Sequence, residues 1–180
     1  MVYLFLAEGF EEIEALTPVD ILRRGKVDLV TVGVGGKTIK GSHGITVEAD
    51  ISDSELMNFE GTEAVILPGG MPGTLNLEKC SKVREAVIYC AENDLVLGAI
   101  CAAPSVLGHL GVLKGKKAVC YPSFEKELIG ALPCDDFVCR DGSVITAKGM
   151  GVSVDFGLAL LEALKGGQTA AHVKTSIQCR

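Results

Sequence analysis

Short apolar runs alternate along the chain with segments whose apolar residues recur every three or four positions. Val2 to Leu6 is a continuous apolar run of strand formers. From Glu12 to Arg24, Ile13, Leu16, Val19, Ile21 and Leu22 fall at helical spacing, and Pro18 predicts a break or a new helical start near Thr17. Val27 to Val34 predicts a second strand, and Thr38 to Val47, with Gly41 and Gly44 inside it, a small hairpin. Ala64 to Leu67 predicts a buried strand running into Pro68-Gly69-Gly70. Ser81 to Asn93 has helical spacing, Leu95 to Ile100 is again an apolar strand, and Cys101 to Leu110 predicts a helix. Lys117 to Cys120 and Ser143 to Ala147 are further strand candidates, and Val152 to Leu164 is a periodic closing helix.

Strands that are apolar throughout, alternating with helices, predict a mainly parallel sheet covered on both faces. The expected fold is α/β, one doubly wound domain over residues 1–180. Sites in such folds form at the carboxyl ends of the strands. Four segments are expected to meet there: the Ala7-to-Glu14 turn, the Pro68-to-Gly73 loop, the Cys101 turn and the Lys148-to-Gly151 loop.

Charge excludes some classes of function. The formal net charge is −6, so the basic footprint of a nucleic-acid binder is absent. The apolar start is short and followed at once by Glu8, Glu11, Glu12 and Glu14, which argues against a signal peptide. No stretch approaches the roughly 18 apolar residues of a membrane span. Cysteine changes the picture more. There are seven, an odd number, with no C-x-x-C pair. That argues against a disulfide framework or a zinc cage and for free thiols in a reducing cytoplasm.

Of the seven, Cys101 has a distinctive setting. Gly98-Ala-Ile-Cys-Ala-Ala-Pro104 ends a buried strand, puts one cysteine at the corner and opens a helix with small residues. This is the arrangement of a nucleophile elbow with sulfur in place of oxygen. A free cysteine titrates near about 8.5, and a helix N-terminus lowers that to roughly 3.5 to 7.5, so a thiolate is expected at Cys101. The backbone N–H groups of Ala102 and Gly70 are expected to form an oxyanion hole.

The chain resembles the ThiJ/PfpI family, in the branch that contains the Parkinsonism-associated protein deglycase. The resemblance runs nearly end to end. It is carried by Glu11-Glu-Ile-Glu14, Pro18-Val-Asp20, Leu67-Pro-Gly-Gly70, Ala99-Ile-Cys-Ala-Ala-Pro104, Thr146-Ala-Lys-Gly-Met-Gly151 and the helix Asp155-Phe-Gly-Leu-Ala-Leu-Leu-Glu-Ala-Leu164. The resemblance implies a flavodoxin-like or class I glutamine amidotransferase-like fold, a reactive Cys101, a hydrogen bond from Glu14 to it, and backbone donors at Gly70 and Ala102. It further implies a homodimer and chemistry without a cofactor or metal. An ionised Glu14 would raise the thiol's pKa and a protonated one, donating to sulfur, would lower it, so Glu14 is expected to be raised by burial and to titrate with Cys101 as a unit.

The sequence departs from the family at three places. Tyr121, in Cys120-Tyr-Pro122, stands where many deglycase or glyoxalase relatives carry histidine. Ala102 stands where the protease-like branch has histidine directly after the cysteine, which argues against a peptidase. Lys148 stands where some relatives have arginine at the pocket rim, keeping the charge and losing the bidentate fork. Gly69 completes the pocket set, and His43 in the hairpin is a further candidate. His109 and His172 read as packed or exposed. Gly149-Met-Gly151 reads as a close turn beside the cysteine, and Cys134 with Cys139 does not make a metal site.

Three readings follow. The first is an enzyme acting on small reactive aldehydes such as methylglyoxal and glyoxal, or on their protein adducts, in the manner of a deglycase or glyoxalase. The second is an oxidative-stress sensor or chaperone-like protein that uses oxidation of Cys101 to sulfinate. The third is an interaction protein with a vestigial pocket.

Overall fold

A computed structural model describes residues 1–179. In chain order the elements are β1 (Val2–Leu6), α1 (Glu12–Arg24), β2 (Leu29–Gly33), β3 (Thr38–Lys40), β4 (Thr46–Glu48), β5 (Ile51–Ser52), β6 (Ala64–Leu67), α2 (Gly73–Lys79), α3 (Ser81–Glu92) and β7 (Val96–Ile100). They continue with α4 (Pro104–His109), β8 (Lys117–Ala118), β9 (Leu132–Pro133), β10 (Val138–Asp141), β11 (Val144–Ala147), α5 (Ser153–Lys165) and α6 (Gly167–Ser176). Seven strands form the main sheet in the order β10-β11-β7-β6-β1-β2-β5. Every neighbouring pair is parallel except β10 with β11.

The alternation of side chains along β1 shows why its apolar run has no polar face. Val2, Leu4 and Leu6 point to one layer, with Ala15, Leu22, Phe156 and Leu160 of α1 and α5. Tyr3 and Phe5 point to the other, with Leu77, Val83, Val87 and Leu107 of α2, α3 and α4. Both faces are covered, as a parallel sheet requires. Each fully buried leucine or phenylalanine here contributes about 2 kcal/mol by leaving water. Among the described residues no helix is long and apolar enough to cross a membrane.

The observed elements differ from the sequence expectation in several places. Helix α1 is continuous from Glu12 to Arg24 with Pro18 inside it, so there is no break at Thr17. Pro18 removes only the bond that would reach Glu14's carbonyl, and Ala15, Val19, Ile21 and Leu22 are buried along the same helix. Helix α5 comes close at Gly157, where an added Cβ would lie 3.3 Å from Pro18 Cα. Tertiary packing outweighs the proline. Strand β8 pairs with β9 outside the main sheet, where a sheet strand from Lys117 to Cys120 was expected. Helix α5 does not close the chain, because α6 follows it. Helix α4 begins only at Pro104, leaving Cys101, Ala102 and Ala103 in a turn.

Strand β1 is flanked by β2 on one side and β6 on the other. The chain therefore leaves β1 and β6 toward opposite sides, which opens a crevice at their carboxyl ends. The residues that follow β1, β6, β7 and β11 converge there.

Candidate active site

Cys101 sits one residue past β7 with φ at 66°, in the left-handed region that costs a non-glycine residue about 1–3 kcal/mol. The backbone is clamped on both sides. Its N–H donates to the Ala147 carbonyl of β11 at 2.9 Å, and its own carbonyl accepts from the Tyr121 N–H at 2.8 Å. The Ala103 N–H returns to Ile100 O at 3.1 Å, closing the turn. These bonds hold the bend that turns the half-buried thiol out of the sheet.

Glu14 reaches the thiol from the first turn of α1. Glu11 caps that helix by accepting from the Glu14 N–H at 2.7 Å. The Glu14 side chain is 1% exposed, and its Oε2 accepts from the Gly69 N–H at 3.0 Å. The Met150 N–H also donates to the carboxylate, and the Cys101 side chain is hydrogen-bonded to it. The loop after β6 fits between them only because residues 69 and 70 are glycines. A Cβ at Gly69 would stand 2.6 Å from Glu14 Oε2 and 2.7 Å from Cys101 Cβ. Gly70 has φ at +91°, and a Cβ there would lie 2.4 Å from Glu11 N.

Burial, more than any other cause, raises Glu14 to about 7, and the charge of Glu11 adds to it against the hydrogen bonds from Cys101, Gly69 and Met150. The raised carboxyl agrees with the sequence expectation. The lowered thiol does not. Burial first, then the charge and hydrogen bond of Glu14, push Cys101 up to about 12, although the N–H groups of Ala102 and Gly70 donate to the sulfur. The expected pull of a helix N-terminus is weak because α4 has six residues and starts three positions beyond the sulfur. The part of this shift that comes from Glu14's charge exists only while Glu14 is ionised, so the pair titrates as a unit. An ionised Glu14 beside a protonated thiol is a base in contact with the proton it would take.

Three further candidates take different positions. Tyr121 lies at the mouth, 52% exposed, with its ring against Gly149. A Cβ at Gly149 would lie 3.3 Å from Tyr121 Cδ2 and 3.7 Å from Glu14 Oε1, so ring and carboxylate flank this glycine. Lys148 turns aside from the pair. Its Nζ donates to Asp135 O at 3.0 Å and sits 4.6 Å from the centre of the Phe137 ring. It lines a cavity of about 310 Å³ with Cys120, Pro122, Glu125, Leu128 and Cys134, a cavity whose walls do not include Cys101 or Glu14. His43 also misses the sulfur. Its Nδ1 is 3.0 Å from Glu12 Oε2, and its N–H donates to Glu12 Oε1 at 2.8 Å. The bond and charge of Glu12 raise the His43 pKa.

Glu11, Glu12 and His43 offer three ligand atoms within 4.8 Å of one another, which is the arrangement here that could hold a metal ion. Both Glu12 oxygens already accept hydrogen bonds from the hairpin, from His43, Ile45 and Ser42. His109, expected to pack or face solvent, is exposed and bridges Glu78 and Glu127 through its two ring nitrogens. The residues that sequence reasoning missed are Met150, which acts through its backbone N–H, and Glu11, whose side chain caps α1. A backbone N–H leaves no mark in residue type, and Glu11 is one of several glutamates at the start of α1.

A family model described as the DJ-1/PfpI family matches residues 1–163. Protein DJ-1 homolog B of Arabidopsis thaliana is 33% identical over 178 residues, which cover 97% of this chain and 40% of that protein. The chain thus spans less than half the length of that relative. The glutathione-independent glyoxalase DJR-1.2 of Caenorhabditis elegans is 31% identical over 160 residues, covering 88% of this chain and 85% of that protein. The solved structure of oxidized Toxoplasma gondii DJ-1 superposes with a TM-score of 0.94 at 29% identity, covering 99% of this chain and 97% of that one.

Proposed function

The chain belongs to the DJ-1/PfpI family, and from that premise we propose that it is a cofactor-free, cysteine-dependent enzyme acting on small reactive aldehydes or their adducts, in the manner of a glyoxalase or deglycase. The observation that carries the reading is the Cys101 thiol, held at a bent strand end and hydrogen-bonded to the buried carboxyl group of Glu14.

In this mechanism ionised Glu14 takes the thiol proton as sulfur adds to the aldehyde carbon of methylglyoxal. The carbonyl electron pair moves onto oxygen, where the N–H groups of Gly70 and Ala102 stabilise it until it is protonated. Glu14 returns the thiol proton to that oxygen and, ionised again, carries a proton from the former aldehyde carbon to the neighbouring carbon while the hydroxyl proton passes to the neighbouring oxygen, which converts the hemithioacetal to a thioester. Water cleaves the thioester, releasing lactate and restoring the thiol. Tyr121 supplies a hydroxyl at the mouth, at the position where the family resemblance implies histidine in many deglycase or glyoxalase relatives, and Gly69 holds the loop against both reacting groups. A homodimer in the cytoplasm, acting without metal or nucleic acid, completes the reading, and peptidase activity is not part of it. Lactate formation from methylglyoxal is the test. Wild type is expected to form it and Cys101→Ser to lose it, and equal rates from the two proteins would refute the mechanism.

A second reading has one specific support, the relative whose solved structure is described as oxidized. Here a peroxide takes Cys101 to sulfinate, and Glu14, protonated at its raised pKa, donates to the sulfinate oxygen. Peptide mass spectrometry after mild peroxide distinguishes it, since oxidation spread evenly over the cysteines would leave Cys101 without a special role.

A further inference from the structure

Away from the Cys101 pocket, the chain between β9 and β10 brings two more sulfurs together. Cys134 directly follows β9 and is half-buried, whereas Cys139 is the second residue of β10 and is 3% exposed. The intervening residues curl back so that the two side chains lie near enough for Cys134 to act on the Cys139 thiol. The curl is pinned from outside. Cys139 is paired with Thr146 in the antiparallel β10–β11 ladder. The Asp135 carbonyl accepts from Lys148 Nζ at 3.0 Å, and the Phe137 carbonyl accepts from the Lys148 N–H at 2.9 Å. Cys134 also lines the 310 Å³ cavity, which gives small solutes a route to its sulfur. Its Sγ is 3.7 Å from Asp136 Oδ2.

We propose that Cys134 and Cys139 are a second, reversible oxidation site, a dithiol that a hydroperoxide closes to an intramolecular disulfide. Burial and the neighbouring sulfur push Cys139 up to about 12, so Cys139 keeps its proton and the more exposed Cys134 attacks first. Its thiolate takes the terminal peroxide oxygen, the O–O bond breaks, and the departing alkoxide is protonated to an alcohol. This leaves a sulfenic acid on Cys134. The Cys139 sulfur then attacks that sulfur, the S–O bond breaks, and the leaving hydroxide takes the Cys139 proton as water. The sum is two thiols and one hydroperoxide giving one disulfide, one alcohol and one water. The sulfurs lose the two electrons that the O–O bond gains. Two neighbouring thiols on a loop pinned at both ends need only approach to a bond of about 2.05 Å.

This chemistry differs in kind from that open to Cys101. Its hydrogen-bonding partners are Glu14, Ala102 and Gly70, none of them a thiol, so its oxidation climbs to sulfinate. The dithiol stops at the disulfide, which thiols reverse. The proposal does not depend on the aldehyde chemistry, and its test reads a different peptide.

Trypsin cleavage after Lys126 and Arg140 places both cysteines in one peptide, Glu127–Arg140. Wild type and Cys101→Ser are each treated with hydrogen peroxide at equimolar concentration, blocked with iodoacetamide and digested without reduction. In both proteins this peptide is expected to lose two hydrogens, to resist alkylation, and to become doubly alkylated after dithiothreitol. With Cys139→Ser and at least two equivalents of hydrogen peroxide, Cys134 is expected to continue to sulfinate. A peptide in which Cys134 is sulfinate while Cys139 is alkylated, one that stays doubly alkylated while other cysteines oxidise, or one linked to a different cysteine would overturn the proposal.

Discussion

Replacing Glu14 with glutamine tests whether burial of this carboxyl group sets the electrostatics of the site. The amide oxygen can still accept the Gly69 N–H that Glu14 Oε2 accepts at 3.0 Å, so the fold keeps its local partner. What disappears is a titration. Glu14 moves from an ordinary 4.5 to about 7 on folding. Below the unfolded value both states hold the proton and burial costs nothing. As pH rises above it the unfolded chain ionises while the folded protein does not, and each unit removes about 1.4 kcal/mol of stability. The loss is complete once pH passes the folded value. Two and a half units give about 3 kcal/mol, and no solvent discount applies to a side chain 1% exposed. Urea denaturation of wild type and Glu14→Gln across pH values from about 4.5 to about 8 reads the difference. Other titrating groups are common to both proteins and largely cancel. The stability of the variant relative to wild type is expected to rise by about 3 kcal/mol through this window. A difference that stays flat with pH, or falls, would refute the reasoning that Glu14 is held protonated by burial.

Two other expectations are independent of that one. Gly69→Ala puts a methyl group 2.6 Å from Glu14 Oε2 and 2.7 Å from Cys101 Cβ, so it is expected to cost about 1–3 kcal/mol and to change Cys101 alkylation by iodoacetamide. Unchanged stability and alkylation would contradict the packing described here. His109, held by Glu127 and Glu78, has its pKa raised, so its stabilisation is fully present below 6.5 and lost as pH rises through the higher folded value. Solvent screening limits it to about 1 kcal/mol, and His109→Gln is expected to remove it at low pH and to be near neutral above that range, as denaturation curves at the two ends will show.

Much of the fold was legible because it is written in local periods. β1, β6 and β7 are apolar throughout, and that alone indicates strands buried on both faces. The segments leaving their carboxyl ends could be named in advance as the place where a site forms. Strand β10 escaped because Val138-Cys-Arg-Asp141 mixes apolar and charged residues, as an edge strand can when a single neighbour pairs with it. Helix α2 escaped because its seven residues begin at Gly73 and carry little amphipathic pattern. Pro18 misled for the opposite reason: a strong local signal was overruled by the contact with α5.

The sequence by itself indicated a doubly wound α/β chain with one cysteine at a strand-to-helix corner, and only its resemblance to this family implied a glutamate of the first helix as the partner. Those features depend on residue type and order, which are local. The tertiary structure alone decided how deeply Glu14 is buried, that Cys101 is raised where its place before a helix suggested the reverse, and that Lys148 and His43 turn to Asp135 and Glu12. It also brought Cys134 against Cys139. Desolvation and charge act through space over a few ångströms, and neither distance is encoded in spacing along the chain.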